Sequence, residues 1–308
     1  MLDVHRLRLL RELDRRGTIA AVAEALAYTP SAVSQQLAVL EREAGVPLLE
    51  RSGRRVVLTA AGADLARRAD DVLALLEQAA AAVAAGRTGL TGRLRVGAFP
   101  SAVRTMLPRA LVALGREHPG LELTVTELDP SAVPAALRSG DLDVGLIQEY
   151  DYVPAEMDPA LDTVLLLAET IFLAVPAAAP PASLLADCRD AQWIAGTEGT
   201  LCRLMTVRAC QAAGFTPRVR HHADDFATVL ALVAGGQGVA LVPQLGTEGV
   251  PAGVALIPLD ARRRSHIACR RGARRHPAVA ACAAAIRAAA AAHPVTAGSV
   301  QPGPVCQG

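Results

Sequence analysis

Between Thr18 and Leu37 the sequence TIAAVAEALAYTPSAVSQQL places two short periodic runs on either side of a tight connection. Ile19, Val22, Ala23 and Leu26 share one helical face in the first run, and Val33, Leu37, Leu40 and Ala44 share one in the second, so each run predicts an amphipathic helix. Tyr28-Thr29-Pro30 reads as a turn ending in an N-cap. Thr29 is placed to accept from the first amides of the new helix, and Pro30 takes the first helical position, where no donor is lost. The outward face of the second helix carries Ser31, Ser34, Gln35, Ala38 and Arg42, with no carboxylate before Glu41. Such short polar groups suit a helix lying against base edges and phosphates, whereas an ordinary solvated helix pair is the plainer alternative.

The flanking sequence extends this unit. Leu2 to Arg16 repeats Val4, Leu7, Leu10 and Leu13 at helical spacing, and Gly17 stops that helix before Thr18 caps the next. After Gly45, two short β-like runs between Val46 and Leu58 flank a Ser-Gly turn, predicting a small hairpin, or wing, that bears Arg51, Arg54 and Arg55. Arginines on an exposed turn are commonly just solvated, but beside a recognition helix they suit phosphates or a minor groove. From Thr59 to Ala85 one long helical pattern sets Leu65, Ala69, Val72, Leu76, Ala79 and Val83 at heptad a/d spacing, the pattern of a dimer seam. Packing of its alanine-rich second half on its own domain is the alternative. Gly86 to Gly92 reads as a flexible joint.

At 308 residues the chain is long enough for more than one domain. No apolar run approaches the ~20 residues of a membrane span, and the N-terminus lacks the pattern of a secretory signal, so a soluble cytoplasmic protein is expected. Every basic side chain other than histidine is arginine, and the formal net charge is only +1, which permits nucleic-acid binding only where arginines concentrate. Cys188, Cys202, Cys210, Cys269, Cys282 and Cys306 fall at irregular spacings that suggest neither a zinc site nor a disulfide framework.

Beyond the joint the texture turns to alternating strands and helices. Strands are expected at 94–99, 121–127 and 143–148, with helices at 101–116 and 131–139 between them, giving a parallel open βαβαβ sheet. A second set follows, with strands at 165–175, 192–195, 219–222 and 239–242 and helices at 200–213 and 225–234. A strand at 264–269 and a helix at 277–292 are placed to return to the first lobe. The fold class is thus α/β and multidomain: an N-terminal winged helix-turn-helix, a long linker helix and two α/β lobes. The expected boundaries are 1–58 for the winged unit, 59–88 for the linker, 92–167 with 264–293 for lobe 1, 168–263 for lobe 2, and a disordered Pro/Gly-rich tail at 294–308.

This combination resembles the LysR-type transcriptional regulators across nearly the whole chain. The resemblance is carried by Thr29 to Leu37, by the Glu41 to Arg51 passage into the wing, and by Leu58-Thr59-Ala60-Ala61-Gly62 opening the linker. Gly92 to Gly97 and Ala234 to Pro243 are similar to the family's effector-domain strands. The resemblance implies a regulator whose lobes, like type 2 periplasmic binding proteins, bind a small-molecule effector. It also implies a homodimer or homotetramer paired through the long helix, with promoter DNA and RNA polymerase as partners and no cofactor. By the same carry-over Thr29, Pro30, Ser31, Ser34 and Gln35, with Arg51, Arg54 and Arg55, would contact DNA. Gln35 is the candidate for direct readout, because an amide can bond both N6 and N7 of adenine. Many relatives carry arginine at that position.

An effector cleft belongs outside the carboxyl ends of the strands, which nominates Ser101, Ser131, Gln148, Thr197, Thr200 and His222. Each also reads as a plain cap or surface residue. Helix N-termini favour a carboxylate ligand. Glu127, Asp129, Glu149, Asp151 and Glu198 crowd the same rim, so an amine or hydroxyl-bearing ligand competes. Peroxide-sensing members of the family carry a cysteine pair near Cys202 and Cys210, but the spacing here is one residue short and leaves Leu201 in the reactive position. His221 and His222 point to opposite strand faces and form a poor metal site. No phosphate loop, GxSxG or HExxH occurs, which makes an enzyme the weaker reading and a stand-alone solute-binding protein weaker still. Arg262 to Arg264, Arg270, Arg271, Arg274 and Arg275 form the densest basic cluster and read as a solvated turn.

Overall fold

The computed structural model describes residues 1–52, 55–86, 89–154, 158–178 and 184–293. Arg54, Cys306 and the whole 294–308 tail lie outside the described residues, as does the side chain of Arg55.

Three helices open the chain: α1 (Val4–Arg16), α2 (Ile19–Ala25) and α3 (Pro30–Ala44). Each begins on a side-chain cap, since Asp3, Thr18 and Thr29 accept from Arg6 N, Ala21 N and Ala32 N. Gly17 and Gly45 end α1 and α3 in the left-handed region that a Cβ disfavours. Leu7, Leu10, Leu13, Val22, Val33, Leu37 and Leu40 form one buried core. Strands β1 (Leu49–Ser52) and β2 (Arg55–Leu58) pair antiparallel as the wing, from Leu49 opposite Leu58 to Ser52 opposite Arg55.

Helix α4 (Ala60–Ala85) follows as a single helix, capped by Thr59. Gly62 does not break it. A Cβ there would collide with the carbonyl oxygen of Leu48, so glycine is what lets the helix start lie against the base of the wing. The N-terminal half of α4 belongs to the winged core: Ala66 and Ala69 are buried in it and Leu65 packs on its edge. This corrects the expected seam, because Ala69 is fully covered within its own chain. The face left exposed runs through Val72, Leu75, Leu76, Ala79 and Val83, and adds Leu75, which heptad counting passed over.

The remaining chain builds a six-stranded sheet in the order β4-β3-β5-β10-β6-β9. In chain order these are β3 (Gly92–Ala98), β4 (Leu121–Glu127), β5 (Val144–Tyr150), β6 (Leu161–Pro176), β9 (Ala240–Pro243) and β10 (Val254–Arg270). Strands β3, β4 and β5 are parallel, as the βαβαβ pattern requires. The expected 101–116 helix is two, α5 (Pro100–Thr105) and α6 (Leu107–Glu117), meeting at Met106 where Pro108 removes a donor. Helix α7 (Val133–Ser139) leads into β5, and α10 (Pro277–Ala291) returns to pack on the lobe 1 core. In lobe 2, β7 (Gln192–Ala195) and β8 (Arg218–His222) pair parallel, flanked by α8 (Leu201–Ala212) and α9 (Phe226–Ala234). Val239 bridges to Trp193 just before β9 pairs with β6, joining the small sheet to the large one.

Strands β6 and β10 traverse both lobes. Strand β10 pairs with β6 over 254–258 and again over 262–270, with register shifts after Pro258 and after Ser265, and along 263–268 its other edge pairs with β5. The expected strand at 264–269 was only its second half, because Pro258, Asp260 and three consecutive arginines hide the extended pattern of the first. Among the described residues no helix is long and apolar enough to cross a membrane.

Candidate functional site

On α3 the core takes Val33, Leu37 and Leu40, and the opposite face exposes Ser31, Ser34, Gln35, Ala38 and Arg42. Thr29 and Pro30 are exposed at its start, and the Thr29 and Ser31 hydroxyls lie 3.1 Å apart. The two adjacent glutamines part ways. Gln36 accepts from Arg6 Nε at 2.9 Å and is a structural residue, while Gln35 has no protein partner among the described residues. Glu41 is turned away, accepting from Leu48 N and Leu49 N at 2.9 and 3.0 Å, so its carboxylate ties the wing to the helix and the outer face stays free of negative charge. Arg51 is exposed on the wing.

Between the lobes lies a cavity of about 200 Å³. From lobe 1 it takes Phe99, Pro100 and Ser101 after β3, Glu127 to Pro130 after β4, and Gln148 and Tyr150 from β5. Lobe 2 supplies Thr200 and Cys202 at the start of α8 and Asp224 and Phe226 at the start of α9. Arg263 enters from β10 and is 1% exposed. Its Nε donates to Glu169 Oε1 at 2.6 Å, its Nη2 to Ser101 Oγ at 3.3 Å, and its guanidinium carbon lies 4.9 Å from the Phe99 ring centroid. Burial is the largest single influence and would depress the Arg263 pKa, but Glu169 and Tyr150 together, through charge and hydrogen bonding, outweigh it and hold the value above normal. The other Glu169 oxygen accepts from Leu245 N at 2.6 Å, so the pair also fastens the segment that follows β9.

Of the six residues nominated for the cleft, Ser101, Gln148 and Thr200 come together in this cavity. Ser131 donates to Asp129 at 2.6 Å and lines an adjoining groove with Thr200, Glu198 and Arg203. Thr197 and His222 do not line the cavity. Thr197 holds Asp224 through its amide and hydroxyl, each at 2.8 Å, and the exposed His222 points its Nδ1 at Arg203, 3.2 Å away. Strand ends lead to three residues that share this cavity but do not tell which side chains turn into it. Arg263 was missed because it sits in an arginine triplet. The alternation of Ala261, Arg263, Ser265 and Ile267, all buried, was the available signal. Burial, chiefly, raises the Cys202 thiol to about 11, with Asp224 and Asp129 adding to it against the pull of Arg263.

The supposed basic turn is dismantled in the same way. Arg270 donates to Glu77 at 2.6 Å and Arg271 to Asp71 at 2.7 Å, both on α4, and a Cβ on the intervening Gly272 would collide with the Ala74 carbonyl oxygen. A second contact joins α1 to lobe 1. Glu12, 1% exposed, accepts from Arg11 at 3.0 Å, Arg16 at 2.8 Å and Arg138 of α7 at 3.2 Å. Asp158 is held by Arg15 at 2.6 Å and by Arg138.

Comparison with known proteins matches both parts of the chain. Residues 4–63 match the family described as bacterial regulatory helix-turn-helix protein, lysR family, and residues 87–291 the LysR substrate binding domain. A probable hydrogen peroxide-inducible genes activator of Mycobacterium avium is 34% identical over 77% of this chain and 76% of its own. The transcriptional dual regulator GltC of Bacillus subtilis is 28% identical over 84% and 87%. An OxyR mutant from Corynebacterium glutamicum superposes with a TM-score of 0.57 at 25% identity, covering 94% of this chain and 92% of that one.

Proposed function

Because the chain belongs to the LysR family of bacterial transcriptional regulators, we propose that it reads promoter DNA through the exposed face of α3 and the wing, under control of a small molecule in the interlobe cleft. A regulator and not an enzyme, it carries a DNA-binding unit and an effector-binding domain on one chain. The observation that carries the DNA reading is the outer face of α3: Ser31, Ser34, Gln35 and Arg42 are exposed while the nearby carboxylate of Glu41 is consumed by the wing. Gln35 and Ser34 supply the choice of bases with Thr29 and Pro30 beside them, Ser31 supports the same face, and Arg51, Arg54 and Arg55 grip phosphates.

Pairing along the exposed face of α4, at Val72, Leu76 and Val83 with Leu75, makes a homodimer or homotetramer that presents its reading heads in pairs in the cytoplasm, with RNA polymerase as the downstream partner. The effector is a small polar metabolite, a carboxylate or an amino-acid-like molecule, held by Ser101, Gln148 and Thr200. Peroxide response, in the name of the mycobacterial relative, is not carried over. Cys202 and Cys210 lie two helical turns apart on α8, about 12 Å at ~1.5 Å per residue. Burial raises these thiols to about 11 and about 12, leaving little reactive thiolate.

Selection of bound sequences from a random DNA pool tests the reading. Gln35→Ala changes the selected sequence, whereas Arg51→Ala weakens every site alike and lowers the salt slope by about 1. Identical selected sequences for wild type and Gln35→Ala would remove Gln35 from readout.

A further inference from the structure

We propose that the effector carries an ammonium group, seated beside Asp129 of lobe 1 and Asp224 of lobe 2, and an acceptor oxygen that meets Gln148. The inference rests on the cleft being the effector site and concerns the ligand's charge. Arg263 is the one cation among the described residues that line the cavity, and its charge is cancelled in advance by Glu169, with both side chains at most 2% exposed. Against it stand Glu127, Asp129 and Asp224, and none of these faces a cation in an ion pair. Asp129 accepts from the amide and hydroxyl of Ser131, and Asp224 from the amide and hydroxyl of Thr197, neutral donors that orient a carboxylate and leave its charge in place. A ligand that is only an acid brings another negative charge to a wall that already repels it.

An independent observation comes from the floor of the cavity. Gln148 is 7% exposed and lines the cavity, and its Nε2 donor has no partner, while its Oε1 accepts from Tyr150 at 3.3 Å. A buried amide donor left unmade is costly and calls for an acceptor. The lining of one cavity therefore asks for opposite things: an acceptor beside Gln148 and a cation beside the aspartates. At about 200 Å³ the cavity is below the ~300 Å³ at which drug-sized sites begin, so a small zwitterion, of which α-amino acids are the plainest examples, fits both demands. Asp129 and Asp224 sit on different lobes, so a bound ammonium also relieves a repulsion across the cleft and draws the lobes together.

Thermal-shift and calorimetric titrations of the full-length protein with the common L-amino acids, each paired with the 2-oxo acid that lacks its ammonium, test this. The expected result is binding of at least one amino acid, at least tenfold weaker for its 2-oxo acid. Asp129→Asn and Asp224→Asn each weaken it at least tenfold, while Glu117→Gln on the far surface leaves it unchanged. Binding of acids without amines, equal binding of a matched pair, or no response to any amino acid overturns the proposal. If an acid binds and Gln148→Leu abolishes that binding, the cleft stands as the effector site and only the ammonium falls. A ligand that no cleft substitution affects removes the cleft reading itself.

Discussion

Two arginines are buried among the described residues, and their surroundings differ in kind. Arg263, at the interlobe hinge, has one carboxylate to itself, a hydroxyl beside it and an aromatic face under it. Arg11, 5% exposed where the winged unit meets α4, shares Glu12 with Arg16 and Arg138, and its Nε has no partner. Desolvation dominates there and lowers the Arg11 pKa, although Glu12 and Asp70 pull the other way. The contrast separates a fastening from a joint. A one-to-one buried pair holds a single geometry, whereas a carboxylate divided among three cations on two domains can be redistributed at little cost.

The largest effect expected from this contrast is at the hinge. Glu169→Ala strands the buried Arg263 and frees Leu245 N, and urea unfolding should report a loss of about 3 to 5 kcal/mol. A loss below 1 kcal/mol would mean that the hinge relaxes as freely as the joint. At the joint, Glu12→Gln keeps an acceptor but removes the charge, with an expected loss of about 2 kcal/mol. Burial alone would raise the pKa values of Glu12 and Asp158. Arg138 and Arg11 reverse this for Glu12, as the Ala160 amide with Arg15 and Arg138 does for Asp158, so both stay below the usual carboxylate range. Their contribution is complete above that range and is lost as pH falls through the depressed values, so stability should decline below about pH 4. Glu12→Gln should flatten that decline in melting temperatures taken from pH 7 to pH 3. The smallest effect belongs to Arg271→Ala, whose pair with Asp71 is exposed: under about 0.5 kcal/mol, and less at high salt. A larger loss would mean that the exposed pair, and not the backbone contact at Gly272, fastens lobe 1 to α4.

How legible each region was in the sequence follows the same division. The winged unit is written locally: Thr18, Thr29 and Gly17 act on residues three or four positions away, and Val33, Leu37 and Leu40 declare their face by spacing alone. Arg263 and Glu169 lie 94 positions apart, and nothing near either announces the other. Ala69 and Leu75 show the limit from the other side. Heptad spacing cannot tell a helix face that its own domain covers from one left for a partner, because alanine and leucine satisfy both. Arg270 and Arg271 read as a solvated cluster for a similar reason, since their carboxylates on α4 are separated from them by most of the chain.

Where Gly272 meets Ala74, lobe 1 rests on the middle of a rigid rod with no side chain between the two backbones. That makes Ala74 a fulcrum and the N-terminal half of α4 a lever arm. The arm from Ala60 to Ala74 is about 21 Å long at ~1.5 Å per residue. A tilt of about 10° at the fulcrum swings the winged unit about 4 Å, close to the ~3.4 Å rise per base pair along the DNA helix axis. Small motions of the lobes are thus geared to the length unit in which half-sites are counted.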